Sequence, residues 1–390
     1  LSVHIFLVAG EPSGDRLGAA LMAGLRALAP GVRFSGVGGP AMAAEGLQSL
    51  FPMAELSVMG LLEVLPRYPA LRRRMIETAE ALVAAAPDAV VTIDSPDFCL
   101  RVLARARAAR PGLRTIHYVA PSVWAWRPGR ARRMAPLVDH VLALLPFEPP
   151  LMEAAGMGCS FVGHPAAAAP PATPAEVTAF RARHGLGAAP VLLALPGSRR
   201  GEVARLAPVF GQALASLVAR RPDLRVVVPA VAALGAEVRA RVAGWPGAPV
   251  VIVEGEAPAG AKAAAFGAAR AAIAASGTVS LELAAAGVPM VIGYDMNPLT
   301  RAIVGRLLRV DTVTLVNLVS NTRAVPEFLG ARCRADLIAP AVAALLDDGP
   351  ARDAQMRAMD LAMGRLGRGG EAPGLRAARA VLGAIAAPRG

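Results

Sequence analysis

The sequence predicts an α/β protein of two doubly wound, Rossmann-like parallel-sheet domains facing a central cleft. Three observations predict it. Short apolar runs alternate with helical patterns along most of the chain, the signature of βαβ units and parallel sheets. That alternation pauses at an Ala- and Pro-rich stretch, GHPAAAAPPATPAEV (163–177), and then restarts. At 390 residues the chain is too long for one ordinary core. A hydrophobic content of 55% with only 18% charged residues describes a packed chain and excludes a disordered one.

In the first half, VHIFLVA (3–9) reads as a strand and leads through a turn into the helical RLGAALMAGLRAL. AVVTI (89–93) precedes DSPDF and an Arg-studded helix, RTIHYVA (114–120) precedes PSVWAW, and HVLALL closes the series. After the Pro-rich hinge come VLLAL (191–195), LRVVVPA, PVVIVEG, AAIAAS and PMVIGY, each followed by a helical segment. The expected domains are 1–168 and 176–350. A last helical stretch, about 352–390, has no strand after it and is free to pack on the first domain or on a partner chain.

Charge and cysteine content narrow the partners. The 41 Lys+Arg against 29 Asp+Glu give +12, which favours an anionic partner: a nucleic acid, a nucleotide or an anionic membrane surface. Almost all of the positive charge is arginine, with Lys262 the only lysine, and the abundance of Arg and Ala looks like GC-rich coding. No run of about 18 apolar residues suggests a membrane-spanning helix. The opening segment lacks the basic start of a secretory signal. Cys99, Cys159 and Cys333 are odd in number and widely spaced, as free thiols in a reducing cytosol would be.

Ligands of open α/β sheets gather at the loops that follow the strands, and four of those loops are polar or Gly-rich. GEPSGD supplies Gly10, Glu11, Ser13, Gly14 and Asp15; it matches neither the P-loop nor the dinucleotide fingerprint. It also suits a tight turn in which Ser13 or Asp15 caps the next helix. IDSPDF places Asp94 at a strand exit and Asp97 three residues on. One cap suffices for the helix, which leaves Asp94 as a candidate general base. LPGSRRGEV offers Gly197 for a tight turn, the Ser198 hydroxyl and two arginines, Arg199 and Arg200, at a helix start. Positive charge there is unfavourable without an anion, and the backbone N–H groups suit a phosphate.

The fourth loop, ASGTVSLE, places Ser276, Gly277 and Thr278 before a helix that carries Glu282. The register excludes a capping box, because the residues three after Ser276 and Thr278 are Val279 and Leu281. Glu282 is then either a first-turn carboxylate complementing the helix dipole or an acceptor for paired hydroxyls such as a ribose diol.

Two further stretches are ambiguous. SVMGLLEVLPRYPALRRRM (57–75) sets Val58, Met59, Leu61, Leu62, Val64 and Leu65 beside Arg72 and Arg73. It reads as a core-facing helix with a basic side or as a segment lying on an anionic membrane. PSVWAWRPGRARRM holds Ser122, Trp124 and Trp126 among arginines, a pattern for base stacking or for simple packing. The five histidines are scattered without metal-ligand spacing, and no G-x-S-x-G elbow occurs.

The ordered set AGEPSGDRLGA, GVGGPAM, IDSPDF, IHYVAPSVWAWR, LLALPGSR, ASGTVSLE and NLVSN resembles the lipid-A-disaccharide synthase family of Gram-negative bacteria across nearly the whole chain. The resemblance implies a GT-B fold, with UDP-sugar binding in the C-terminal domain and a lipid acceptor in the N-terminal one. It implies an inverting glycosyltransferase that joins UDP-2,3-diacylglucosamine to 2,3-diacylglucosamine 1-phosphate (lipid X), releasing UDP, with no metal or cofactor and no nucleic-acid partner. By that resemblance Gly197, Ser198, Arg199, Ser276, Gly277 and Thr278 face the diphosphate, Glu282 the ribose, Asn317 the UDP site, and Asp94 deprotonates the acceptor. The 57–75 segment becomes a docking patch for the cytoplasmic face of the inner membrane, and a domain-exchanged homodimer is compatible with the family. Gly330 stands where the family pattern expects Gln, and the first residue is Leu. A UDP-GlcNAc 2-epimerase or a peptidoglycan-precursor transferase shares the UDP-site logic but leaves IHYVAPSVWAWR unexplained. A non-catalytic membrane-binding protein is the alternative from another class.

Overall fold

The computed structural model describes residues 3–56, 61–126, 129–296 and 310–387, with the side chains of 61–67 outside the description. They form two compact units, residues 1–168 with 369–390, and residues 169–368. Each unit is built on a six-stranded, wholly parallel sheet.

In the first unit the strands β1 (His4–Ala9), β2 (Arg33–Val37), β3 (Ala89–Ile93), β4 (Thr115–Tyr118), β5 (His140–Ala143) and β6 (Gly158–Phe161) lie in the order β2-β1-β3-β4-β5-β6. In the second, β7 (Val191–Leu195), β8 (Arg225–Ala230), β9 (Val250–Val253), β10 (Ala271–Ala274), β11 (Met290–Tyr294) and β12 (Glu327–Leu329) lie in the order β12-β11-β10-β7-β8-β9. Parallel neighbours require crossovers, which cover both faces of a sheet with helices. This is why β3 and β7 are buried along their whole length and read as unbroken apolar runs. Alternate residues of β1 divide between two cores, Ile5, Leu7 and Ala9 on one face and Phe6 and Val8 on the other.

The strand order reverses once in each unit. The chain leaves β1 for β2 on one side and returns to β3 on the other; it leaves β7 for β8 and β9, then returns to β10. At such a switch point the crossover helices diverge to opposite faces and the loops at the carboxyl ends stand open to a ligand. The β1/β3 and β7/β10 pairs are therefore the two places where the fold itself prepares a site.

The C-terminal stretch divides between the units. The helix Pro350–Arg365 belongs to the second unit: Gln355 is buried there and clasps β11, donating Nε2 to the Met290 carbonyl at 3.0 Å and accepting the Met290 N–H at 2.8 Å. The helix Pro373–Ala386 returns to the first unit and adds Ala377, Ala378, Val381 and Ala384 to the core under helix Pro12–Leu28. Its contact depends on missing side chains, since a Cβ on Gly24 would stand 2.6 Å from the Gly374 carbonyl oxygen. On an exposed helix, Gly→Ala stabilises by up to ~1 kcal/mol. At position 24 the sign is expected to invert, with Gly24→Ala destabilising the first unit by about 1–3 kcal/mol through overpacking, read as a lowered urea midpoint.

Candidate functional site

On the first unit, two polar loops touch at the β1/β3 switch point. Gly10 and Gly14 are buried there in crowded positions: a Cβ on Gly10 would lie 2.8 Å from the Ser95 hydroxyl, and one on Gly14 3.3 Å from the Ile93 carbonyl at the end of β3. Helix Pro12–Leu28 starts after Glu11 with no side-chain cap; Glu11 is half-buried and Ser13 exposed. Neither Ser13 nor Asp15 caps it. Asp15 instead turns inward and accepts the N–H groups of Gly39 (2.8 Å), Ala41 (2.9 Å) and Met42 (3.0 Å), capping the separate helix Pro40–Ala44. The sequence placed Asp15 among ligand-facing residues, whereas its carboxylate is consumed in bracing GVGGPAM, where the buried N–H groups of Gly39 and Met42 and the part-buried one of Ala41 need an acceptor.

Asp94 and Ser95 both adopt left-handed backbone, φ 53° and 42°, and the Asp94 N–H is held by the Tyr118 carbonyl at 2.9 Å. Helix Pro96–Ala109 has no side-chain cap, so neither aspartate serves it. Asp97 is exposed and pairs with Arg130. The half-buried Asp94 carboxylate has no hydrogen-bond or ion-pair partner among the described residues. A carboxylate left uncommitted on a strained turn at a switch point suits proton transfer.

The loop after the adjacent strand β4 continues this edge. It opens with Val119 at φ 83°, an unfavourable conformation for a β-branched residue. Ser122 is exposed, and its carbonyl accepts the N–H groups of Ala125 and Trp126 in a tight turn. Trp124 packs edge-on against Phe147, centroids 5.4 Å apart, and its indole N–H donates to Glu148 Oε1 at 3.2 Å. Glu148, in the loop after β5, is 3% exposed. Burial pushes its carboxyl up to about 7, against the opposing pull of hydrogen bonds from Leu145 and Trp124.

On the second unit, β7 and β10 are paired, and the Ala275 N–H donates to the Leu195 carbonyl, so GSR and SGT leave neighbouring strands. Gly197 takes φ 122°, and a Cβ there would meet that of Glu202 at 2.5 Å. Glu202 is buried beneath the turn: Oε2 accepts the Ser198 N–H at 3.1 Å, and Oε1 accepts Arg199 at 2.9 Å, with the Tyr294 hydroxyl at 3.5 Å. Arg200 pairs with Glu237 at 3.3 Å. The anion that two arginines at a helix start require is thus supplied, in part, by the chain's own Glu202 and Glu237. Glu202 was overlooked, although its place three residues beyond Arg199 is a legible reach-back spacing.

Ser276 is half-buried, Gly277 and Thr278 are exposed, and helix Val279–Ala285 has no side-chain cap. Glu282 is held by Lys262 at 2.5 Å in an exposed pair. Asn317 differs from expectation more sharply. It is buried, donates to the Val325 carbonyl (2.9 Å) and the Thr312 hydroxyl (3.2 Å), and accepts the Val325 N–H (3.0 Å). It clasps its own loop, beside Glu327, which gathers Thr312, Val313 and Thr314. Gly330 has φ 57°, which glycine adopts without the strain another residue would carry there.

Of the proposed membrane patch, Val58 and Met59 lie outside the described residues. So do the side chains of Leu61, Leu62, Val64 and Leu65, which stand on helix Leu61–Ala85. Arg72 and Arg73 are exposed on that helix. Among the described residues no helix is long and apolar enough to cross a membrane.

The family model for lipid-A-disaccharide synthetase matches residues 5–367. The chain belongs to the lipid-A-disaccharide synthase family. It is 64% identical to the lipid-A-disaccharide synthase of Ruegeria pomeroyi, over 97% of this chain and 95% of that one. Its identity to the lipid-A-disaccharide synthase of Rhodospirillum centenum is 51%, over 98% and 94%. It is accordingly an enzyme, a glycosyltransferase of lipid A biosynthesis. Among solved structures it is similar to a putative UDP-N-acetylglucosamine 2-epimerase from Listeria monocytogenes (TM-score 0.64, 14% identity, 99% of this chain and 96% of that one). It is also similar to CalG4, the calicheamicin glycosyltransferase (TM-score 0.56, 18% identity, 99% and 98%). At these identities the likeness is one of fold, and the two six-stranded α/β units are those of GT-B enzymes.

The burial of Glu148 has a measurable signature. The folded synthase holds its proton up to about pH 7, whereas an unfolded chain releases it near the ordinary value of about 4.3. The folded state therefore gains stability from this group at acid pH and loses it as pH rises through that window. Nearby Cys159, pushed up to about 12 by burial and then by Glu148 and Glu153, stays a thiol throughout. In Glu148→Gln this component should vanish, so the difference in urea midpoint between variant and wild type should move in the variant's favour from pH 5 to pH 8.

Proposed function

We infer that the chain joins UDP-2,3-diacylglucosamine to 2,3-diacylglucosamine 1-phosphate (lipid X), giving the β-1′,6-linked lipid A disaccharide 1-phosphate and UDP. The carrying observation is that the strand order of each unit reverses between two polar loops, Gly10–Asp15 with Asp94 in one and Gly197–Arg199 with Ser276–Thr278 in the other. The second unit is read as the donor half. Its turn N–H groups and the Arg199 guanidinium receive the diphosphate. Glu282 exchanges its exposed ion pair with Lys262 for the ribose hydroxyls, an exchange that costs little because such a pair is weak in water.

The first unit is read as the acceptor half, with the Gly10–Asp15 turn and the Ser122–Trp124 loop flanking Asp94. There Asp94 takes the proton of the acceptor 6-hydroxyl as its oxygen attacks the anomeric carbon. The bond from that carbon to the UDP oxygen breaks on the opposite side, so one displacement inverts the configuration. An uncommitted carboxylate supports this role, because no internal partner must be released first. A doubly acylated pair of substrates must be drawn from a bilayer. The apolar sequence around 58–65 and the exposed Arg72 and Arg73 support peripheral docking on an anionic surface, the cytoplasmic face of the inner membrane.

Incubation with both diacylated substrates tests the reaction: the disaccharide should accumulate with UDP, and loss of the UDP-sugar without disaccharide would sink the reading. Asp94→Asn should lower kcat by about 10²–10⁴-fold with UDP affinity nearly intact; strong residual turnover would remove Asp94 as the base. Glu282→Ala should weaken UDP by roughly 10-fold or more but leave 2′,3′-dideoxy-UDP little affected, as titration calorimetry would show. Equal losses would exclude the ribose contact.

A further inference from the structure

We propose that Glu148 is a positioning residue whose carboxylate ties the loop after β4 to the loop after β5 and so fixes the Trp124 indole on the loop that leaves β4, the neighbour of the strand that Asp94 follows. This rests on the reading of the Ser122–Trp124 loop as part of the acceptor site.

The two carboxylate oxygens of Glu148 are divided between a local and a distant task. Oε2 accepts the Leu145 N–H at 2.9 Å, three residues back in its own turn. Oε1 accepts the Trp124 indole N–H at 3.2 Å, 24 residues away on the neighbouring loop. A carboxyl that served only its own turn would have no need of the second partner. An apolar side chain would fill a site that is 3% exposed without the desolvation cost of an acid. Phe147, the preceding residue, presses its ring edge-on to the same indole, with interplanar angle 85°. The β5 loop thus holds Trp124 by a directional hydrogen bond and by ring packing at once.

What is held in this way is a strained segment. The loop leaves β4 through Val119 at φ 83°, a conformation that persists only when the surroundings over-determine it. The same exit touches the catalytic candidate. The carbonyl of Tyr118, the residue before Val119, holds the N–H of Asp94 at 2.9 Å. Releasing Trp124 removes one of the contacts that fix the loop next to Asp94, although Glu148 itself touches neither Asp94 nor, in this reading, the acceptor.

The test uses the full-length enzyme, both lipid substrates and three variants: Glu148→Gln, Trp124→Phe and the double substitution. A glutamine keeps the shape but presents one acceptor oxygen to two donors, so one bond is lost. Each single variant should raise KM for the lipid acceptor about tenfold, the worth of one hydrogen bond, with KM for the UDP-sugar unchanged within about twofold. The double variant should be no worse than the worse single one, because both remove the same contact. Additive losses, equal rises in both KM values, or no change in acceptor KM would overturn the proposal. A second readout is independent of turnover. Glu148→Gln should shift indole fluorescence in the wild-type background and not in the Trp124→Phe background; a shift that survives Trp124→Phe would also overturn it. If wild-type enzyme makes no disaccharide, the proposed function fails while this fluorescence comparison still decides the tether. Should Glu148→Gln not fold, an unaltered acceptor KM in Trp124→Phe suffices to reject the role.

Discussion

The constraint on which everything else depends is that a wholly parallel sheet must return its chain by crossovers, and that each sheet reverses its direction of winding once. The reversal falls between β1 and β3 in one unit and between β7 and β10 in the other. Helices diverge to opposite faces there, so the loops at the carboxyl ends of those strands are not roofed by a crossover. The loops found at those positions are the ones the fold could not otherwise use: Gly10–Asp15 against Asp94–Ser95, and Gly197–Arg199 next to Ser276–Thr278. Their glycines follow from crowding. Gly10 packs against the Ser95 side chain, Gly14 against the Ile93 carbonyl at the end of β3, and Gly197 against the Glu202 side chain, so a Cβ at any of the three would be crowded.

Around this frame the chain uses carboxylates in two distinct ways. Asp15, Glu148, Glu202 and Glu327 collect N–H or hydroxyl donors from their own or neighbouring loops and hold them still. A carboxylate accepts several such bonds at once, which makes it an efficient brace for a turn that has no helix or strand partner. Asp94, after β3, and Glu282, on helix Val279–Ala285, stay half-exposed, one uncommitted and the other in a solvent-accessible pair with Lys262. In the first unit the braced loops stand next to the left-handed backbone at Asp94, Ser95 and Val119, and bracing of this kind offsets such strain.

Part of this was legible from the residues alone. Asp94 could be singled out because two aspartates follow one strand and one cap at most is needed, although neither aspartate turns out to be the cap. Asp15 could not be told from Asp94 by sequence, since both are acids just beyond a strand; only the path of Gly39–Met42, 24 to 27 residues on, turns Asp15 inward. Asn317 looked like a polar group waiting for a ligand, and its amide is instead filled by Val325 and Thr312. Glu148, between Phe147 and two prolines, had no local signature, because its decisive partner lies on another loop.

The sequence by itself determined the fold class, the alternation of strand and helix, and the polar loops that follow β1 and β3 in one unit and β7 and β10 in the other. Those properties rest on short-range periodicity and on turn chemistry that a few adjacent residues specify. Only the tertiary structure decided which acids are braces and which remain available. It alone joined Lys262 to Glu282 and Glu202 to Arg199. It also sent the helices Pro350–Arg365 and Pro373–Ala386 to different units. A hydrogen bond or an ion pair depends on where donors arrive in space, and for Trp124 with Glu148 that means two chain segments 24 residues apart brought to 3.2 Å by the pairing of β4 with β5.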